Sequence, residues 1–123
     1  MKPGKTGFSR LIDATRYSMQ GFKAAWKNEA AFRQELVAVV ILLPVAFFIA
    51  RDIIQFLLLI VPLLILLIAE LVNSALEAVV DRIGDEPHEL SGRAKDMGSA
   101  TVFIALLLAF ICWLLIVMEN YVL

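Results

Sequence analysis

Three long apolar runs constrain this chain more than any other feature of its sequence. They cover residues 30–50, 53–69 and 97–118, and a helix needs about 20 mostly apolar residues to cross a bilayer. Because backbone polar groups find no partner in lipid, such runs have to be helical. Hydrophobic residues make up 61% of the chain, whereas a soluble domain has roughly 45–50%. The sequence therefore predicts an all-α membrane protein with three transmembrane helices in one domain, residues 1–123.

The segment before the first run, residues 8–27, has a different pattern. Its apolar residues recur at helical spacing and fall on one face, while charged and polar residues occupy the other. The apolar set is Phe8, Leu11, Ile12, Thr15, Met19, Phe22 and Trp26. This pattern is typical of a basic amphipathic helix that lies in the membrane surface, either as a simple anchor or as part of a site.

The distribution of cations predicts the orientation in the membrane. Seven of the eleven Lys and Arg residues precede the uninterrupted apolar stretch of the first span, which begins at Leu36: Lys2, Lys5, Arg10, Arg16, Lys23, Lys27 and Arg33. Segments rich in Lys and Arg stay in the cytoplasm, so we expect the N-terminus there. Three crossings then leave the C-terminus on the periplasmic side, and a loop over residues 84–95 on the cytoplasmic side.

A polar stripe follows the second apolar run, whose helix we expect to continue to residue 82. Counted from the first member, its residues lie at offsets of 0, 3, 4, 7 and 11 and share one helical face: Glu70, Asn73, Ser74, Glu77 and Asp81. Solvated helices usually mix acids with lysines, but no cation occurs between Arg51 and Arg82. The stripe therefore indicates a functional face, with an ordinary solvated face as the alternative.

The depth of the acidic residues indicates what each would do. At ~1.5 Å of rise per residue, Glu70 lies roughly 27 Å from Asp52, at the inner edge of a ~30 Å hydrocarbon core. That is the level of a lipid hydroxyl group, so Glu70 is a candidate general base. Glu29 and Glu77 lie about two turns further into the cytoplasm and together could hold Mg²⁺. Alternatively, their similar depth is a coincidence and each acid pairs with a nearby cation.

The cytoplasmic loop adds groups suited to phosphate chemistry, because positioned cations neutralise charge on a transferring phosphoryl group. Its cations are Arg82, His88, Arg93 and Lys95, and its acids are Asp85, Glu86, Glu89 and Asp96. The sequence contains no P-loop, no protein-kinase signature and no dinucleotide-binding fingerprint. Any nucleotide must therefore be held by helix faces and loop side chains.

Four segments resemble the bacterial diacylglycerol kinase family of the Gram-negative type. They read EAAFRQE at 29–35, AELVNSALE at 69–77, AVVDRIG at 78–84 and ELSGRAKDMGS at 89–99, and the resemblance extends over nearly the whole chain. It implies ATP-dependent phosphorylation of 1,2-diacylglycerol to phosphatidic acid, which recycles diacylglycerol in phospholipid metabolism. It also implies a homotrimer in the bacterial inner membrane with active sites shared between subunits. The balanced charge, 11 Lys and Arg against 12 Asp and Glu, gives no indication of a nucleic-acid partner.

The resemblance further implies individual roles. Glu70 matches the general base, and Glu29 and Glu77 match the acids that bind Mg²⁺. The residues that match ATP-binding positions are Arg10, Tyr17, Glu29, Glu77, Glu86, Pro87, His88, Lys95 and Asp96. Those implicated in binding the lipid are Arg10, Ala14, Met19, Arg33, Glu35, Glu70, Ser99 and Trp113. Asn73 and Asp81 match polar active-site positions without a distinct role, and ordinary helix packing is an equal alternative for Trp113.

Two other functions stay open at this point. The first is the same reaction on undecaprenol, which related Gram-positive proteins phosphorylate; the full surface helix and the segment ELSGRAKDMGSA favour diacylglycerol. The second is a small proton-coupled transporter, which would also carry a membrane glutamate. A transporter site is expected near the bilayer midplane, whereas Glu70 falls at the edge.

Overall fold

The computed structural model describes residues 6–123, and this part of the chain consists of four helices joined by short connections. They are α1 (Gly7–Asn28), α2 (Ala30–Ile49), α3 (Ile53–Ile83) and α4 (Glu89–Tyr121). By length and composition, α2, α3 and α4 can each cross a membrane, which confirms the prediction of an all-α protein with three such helices. Lys2 and Lys5, which contribute to the predicted orientation, lie outside the described residues.

Helices α3 and α4 are longer than a bilayer requires. They contain 31 and 33 residues, which corresponds to roughly 45–50 Å of helix against a hydrocarbon core of ~30 Å. The excess lies at the end that carries the polar stripe, because the apolar runs occupy the opposite parts of both helices. The polar stripe therefore stays helical as it leaves the apolar region.

The prediction of a loop over residues 84–95 is wrong in its second half. Helix α4 begins at Glu89, so that the connection is short and Lys95 lies on a helix. The side chain of His88 accepts a hydrogen bond from the Leu90 N–H at 3.0 Å, as an N-cap does. Glu89 also pairs with Arg93 one turn later, at 3.2 Å. These local interactions extend α4 well before the apolar run that begins at residue 97.

Helix α3 packs against both α2 and α4. The buried residues at these interfaces are Val39, Ala46, Leu59, Leu63, Leu66, Ala69, Ala105, Ala109 and Ile116. Four of them are alanines, and small side chains let transmembrane helices approach closely. Most other apolar side chains on these helices are exposed, as expected for surfaces that contact lipid.

A buried network of hydrogen bonds joins α2, α3 and α4 at the end opposite the polar stripe. The amides of Gln55 and Asn120 are paired by two bonds of 2.9 Å. Asn120 also donates to the Ile49 carbonyl at 2.9 Å, and Gln55 Nε2 donates to Glu119 at 3.2 Å. Arg51 donates to Gln55 from its backbone N–H and to the Asn120 carbonyl from its guanidinium. We call this the Gln55–Asn120 network.

A one-residue turn at Glu29 joins α1 to α2. Glu29 is the one residue between them that is not helical, with φ −119° and ψ 104°. The Arg33 guanidinium donates to the carbonyls of Trp26 at 2.7 Å and Lys27 at 3.2 Å. A cation is favourable at a helix C-terminus, where the last carbonyls have no helical partner. Arg33 therefore caps α1 and helps to fix the turn that contains Glu29.

Candidate active site

Two glutamates meet where the apolar parts of α2 and α3 give way to polar residues. Glu70 on α3 is buried, with 4% of its surface exposed, and the carboxyl group of Glu35 on α2 lies within hydrogen-bonding reach of it. Among residues 6–123, no hydrogen-bond donor reaches the buried Oε2 of Glu35. The pair can therefore accept a donor from outside, such as a hydroxyl group.

The next polar residues of α3 form a column toward the C-terminal end of this helix. Asn73 Nδ2 donates to Glu77 Oε1 at 3.4 Å, one helical turn later. Asp81, one further turn along, forms an ion pair with Lys95 of α4, with 2.6 Å between Oδ1 and Nζ. Both partners of this ion pair are substantially exposed. The column thus leads from the buried carboxyl pair to a charged surface at the helix ends.

A cleft lies at the end of this column, between α3, α4 and the connection that joins them. It has a volume of about 420 Å³. Its polar lining consists of Asp81, Asp85, Glu86, His88, Ser91 and Lys95, and Pro87 also lines it. The structure therefore brings together four of the residues predicted to bind ATP, from the loop and from α4, beside Asp81. The mixture of a cation, exposed acids and an imidazole suits a polar, charged ligand.

Glu29 lies in a different groove, between α1 and the C-terminal half of α3. This groove has a volume of about 610 Å³, and Glu29 shares its lining with Ser74 and Ala78. Glu77 lies between those two positions in sequence, but its side chain does not line this groove and instead accepts a hydrogen bond from Asn73. Glu29 and Glu77 are therefore at the same level of α3, on neighbouring sides of the helix. Ser74 faces this groove rather than α4.

The donor set can be compared with what a metal requires. Within residues 6–123, no three His, Cys, Asp or Glu side chains are grouped so that they could hold a metal ion. Mg²⁺ usually needs only one or two protein carboxylates, because nucleotide phosphates and water complete its octahedral shell. Glu29 and Glu77 each offer hard carboxylate oxygens of the kind that Mg²⁺ accepts.

A second groove, of about 440 Å³, runs between α2 and α4 within the apolar region. Glu35 stands at one end and Trp113 at the other. Between them the lining is apolar: Ala38, Val39, Leu42, Leu63, Leu66, Leu106, Ala109 and Phe110. The Trp113 indole donates to the Leu59 carbonyl at 3.0 Å, so that its ring is held against α3. The groove therefore leads from the carboxyl pair into the part of the protein that lipid chains occupy.

Other predicted site residues lie apart from these features. Arg10, Tyr17 and Met19 are exposed on α1 and Ala14 is half-buried there, while Arg33 caps the same helix. Asp96 follows Lys95 in sequence but lines a shallow surface on another side of α4, and Ser99 is exposed. Within one subunit, residues 6–123 therefore do not bring all the predicted site residues together in one place.

Two features were missed in the sequence. Gly98 contacts Asn73 so closely that a Cβ atom at this position would overlap the Asn73 Oδ1. The Gln55–Asn120 network was also missed, although Gln55 is the only polar residue in the run 53–69. That isolated glutamine was a usable signal, because a polar side chain in an apolar span needs a partner. The glycine carried no such signal.

The fold and these grooves define a helical membrane protein with an acidic site at one end of its spans. The chain matches the family described as prokaryotic diacylglycerol kinase over residues 16–117, and it belongs to that family. It is 52% identical to the diacylglycerol kinase of Escherichia coli strain K12 over 121 residues, which cover 98% of this chain and 99% of the relative. It is 55% identical to the Haemophilus influenzae diacylglycerol kinase over 108 residues, covering 88% and 92%. The identity to the Pseudomonas aeruginosa diacylglycerol kinase is 49% over 110 residues, covering 89% of each.

Proposed function

We propose that this protein is an ATP-dependent kinase of the bacterial inner membrane that phosphorylates 1,2-diacylglycerol to phosphatidic acid. Membership of the family and the name of a relative that aligns along nearly its full length support the reaction. The observation that carries the proposal for the site is the place of Glu70. It is buried beside Glu35, with an apolar groove on one side and a polar column on the other.

In this proposal Glu70 is the general base. The lipid hydroxyl donates its proton to Glu70 as its oxygen attacks the γ-phosphorus of ATP and the bond to the ADP oxygen breaks. A base has to be within hydrogen-bonding reach of the proton that it accepts. Glu35 is positioned to accept a hydrogen bond from the same hydroxyl group or from a second one on the glycerol. The transfer is direct and needs no phosphorylated enzyme.

The lipid tail would occupy the groove between α2 and α4, with Trp113 at its far end. An acyl chain there would be bordered by apolar side chains while its glycerol end reached Glu35 and Glu70. In the described chain Trp113 also bonds to the Leu59 carbonyl, so its contribution to the lipid site would include fixing the wall of the groove. Arg10, Ala14, Met19, Arg33 and Ser99 would contact the lipid nearer the membrane surface.

ATP would bind in the cleft that contains Lys95. Its ammonium group would balance phosphate charge, while Glu86, Pro87 and His88 border the nucleotide. The Asp81–Lys95 ion pair supports this, because it holds the cation at the mouth of the cleft. Glu29 and Glu77 would hold Mg²⁺, which supplies positive charge to the phosphates when it is bound.

Arg10, Tyr17 and Asp96 lie apart from this cleft, and we infer that they complete the site from a neighbouring subunit of a homotrimer. The groove between α1 and α3 supports an intersubunit contact, since its walls carry mostly small residues. These are Ser18, Gly21, Ala24, Ala25, Ser74, Ala75 and Ala78, and such walls let another helix approach closely. The number of three subunits comes from the resemblance.

The orientation follows the distribution of charge: the N-terminus and the ATP cleft are cytoplasmic, and the C-terminus is periplasmic. Helix α1 would lie in the membrane surface. Its apolar side chains Phe8, Leu11, Ile12, Met19, Phe22 and Trp26 are exposed in the described chain, and insertion into the interface would bury them.

The decisive test combines a variant with two substrates. Glu70→Gln keeps the size of the side chain but removes the base, and we expect turnover to fall by at least about 100-fold, the lower range of general base catalysis. Purified protein in mixed micelles would be given labelled ATP with diacylglycerol or with undecaprenol. Faster phosphorylation of undecaprenol would overturn the substrate assignment. Full turnover by a folded Glu70→Gln variant would refute the assignment of Glu70 as the general base. Failure of the original protein to transfer phosphate to either lipid would favour the transporter hypothesis instead.

A further inference from the structure

Gly98, in the first third of α4, lies against the polar column. A Cβ atom at Gly98 would overlap Asn73 Oδ1 and would also press on a Leu76 methyl group, at 3.2 Å. Gly92, two turns earlier in the same helix, has no such neighbour within 4 Å. Glycine is unfavourable inside a helix, so the position of Gly98 is explained by the side chain it faces rather than by the backbone of α4.

The Asn73 amide faced by Gly98 has one partner in the described chain. Its Nδ2 donates to Glu77 Oε1 at 3.4 Å. Its Oδ1 is buried and, within residues 6–123, accepts no hydrogen bond. No donor therefore holds the oxygen end of this amide in place. The contact with the Gly98 backbone does so, and it directs the nitrogen end toward Glu77.

Contacts between α3 and α4 lie on both sides of Glu77. Gly98 meets Asn73, one turn before Glu77, and Lys95 pairs with Asp81, one turn after it. Both contacts require the two helices to stay close along this stretch. A larger residue at 98 would push the Asn73 amide away and separate the helices next to Lys95.

We propose that Gly98 is a positioning residue that orients the Glu77 carboxylate for metal binding, acting through the Asn73 amide. This inference rests on the proposed role of Glu77. It assigns a function to a residue without a side chain, and it gives Asn73 a specific task. Gly98 itself touches neither the metal nor the substrates.

The test measures metal binding directly. Full-length protein in detergent micelles is titrated with Mn²⁺ in the presence of a non-hydrolysable ATP analogue, and free Mn²⁺ is counted by electron paramagnetic resonance. Loss of one hydrogen bond to Glu77 should weaken Mn²⁺ binding by about fivefold in Gly98→Ala. The Mg²⁺ concentration for half-maximal activity should rise to a similar extent, while KM for diacylglycerol stays unchanged. Thr101→Val, which changes a residue of the same α3–α4 cavity, should bind Mn²⁺ like the original protein.

A double variant separates this mechanism from general damage. Asn73→Ala removes the amide that a Cβ at position 98 would meet, so adding Gly98→Ala should cause no further loss of Mn²⁺ binding. The proposal would be overturned if the losses of Mn²⁺ affinity in the two single variants multiplied in the double variant, or if Gly98→Ala bound Mn²⁺ with unchanged affinity. If Gly98→Ala does not fold, Asn73→Leu decides, since normal Mn²⁺ binding without the amide would also refute it. Glu77→Gln tests the underlying site: normal Mn²⁺ binding there would refute the metal role of Glu77 itself.

Discussion

Replacing Asn120 by alanine should destabilise the protein by about 2 kcal/mol without changing the chemistry. The Asn120 side chain takes part in three hydrogen bonds of 2.9 Å, one to the Ile49 carbonyl and two with the Gln55 amide. Hydrogen bonds between helices in membranes contribute about 0.6 kcal/mol each on average, so three are worth about 2 kcal/mol. Gln55 keeps its bonds to Arg51 and Glu119, which should limit the loss to about that value.

The free energy of unfolding would be measured for the original protein and the variant by reversible denaturation in mixed micelles. Asn28→Ala serves as a matched control, because it removes one exposed amide that bonds within its own helix, to the Ala24 carbonyl. We expect that control to change the unfolding energy by less than about 0.5 kcal/mol. Gln55 is 15 residues from Glu70, roughly 22 Å along α3, so kcat per folded Asn120→Ala molecule should be unchanged. A loss below about 0.5 kcal/mol, or a fall in kcat at normal stability, would refute the reasoning.

Two further predictions concern side chains with well-defined partners. Arg33→Gln removes the positive charge that caps α1 through the carbonyls of Trp26 and Lys27. Because the turn at Glu29 then loosens, the Mg²⁺ concentration for half-maximal activity should rise at least about threefold. A change confined to KM for diacylglycerol would instead support a purely lipid-binding role for Arg33. Trp113→Phe keeps an aromatic ring but loses the hydrogen bond to the Leu59 carbonyl. This loss should lower the free energy of unfolding by about 0.5–1.5 kcal/mol. An unchanged denaturation curve would show that this hydrogen bond does not stabilise the protein.

Most of the helical architecture could be predicted because it depends on local composition. A run such as 53–69 has to be helical in lipid, and the spacing of Glu70, Glu77 and Asp81 then places them near one another whatever α3 packs against. The start of α4 was not predictable in this way. Residues 89–95 are mostly polar, and their helix depends on a cap by His88 and on the Glu89–Arg93 pair, which are weaker signals than an apolar run.

The parts of the site that depend on contacts between helices could not be predicted. The meeting of Glu35 with Glu70 requires a particular rotation of α2 against α3, and the apolar sequence of both helices allows many rotations. The role of Gly98 could not be predicted for the same reason, because it depends on the residue that Gly98 faces on α3, Asn73. The resemblance to the diacylglycerol kinases assigned roles to single residues, but it left open how Asn73 relates to them.

The two ends of the helical bundle differ in how well their polar atoms are satisfied, and this difference fits a division of labour. At the Gln55–Asn120 network, every amide oxygen and nitrogen of the two side chains has a partner, which fixes the helices relative to one another. At the opposite end, Glu35 Oε2 and Asn73 Oδ1 are buried and receive no donor from residues 6–123. Unpaired buried acceptors destabilise a fold and are rare in native structures. The well-satisfied end can offset that cost, so the acidic end can keep the Glu35 oxygen available to a donor from outside and the Asn73 oxygen against Gly98, with the amide nitrogen directed at Glu77.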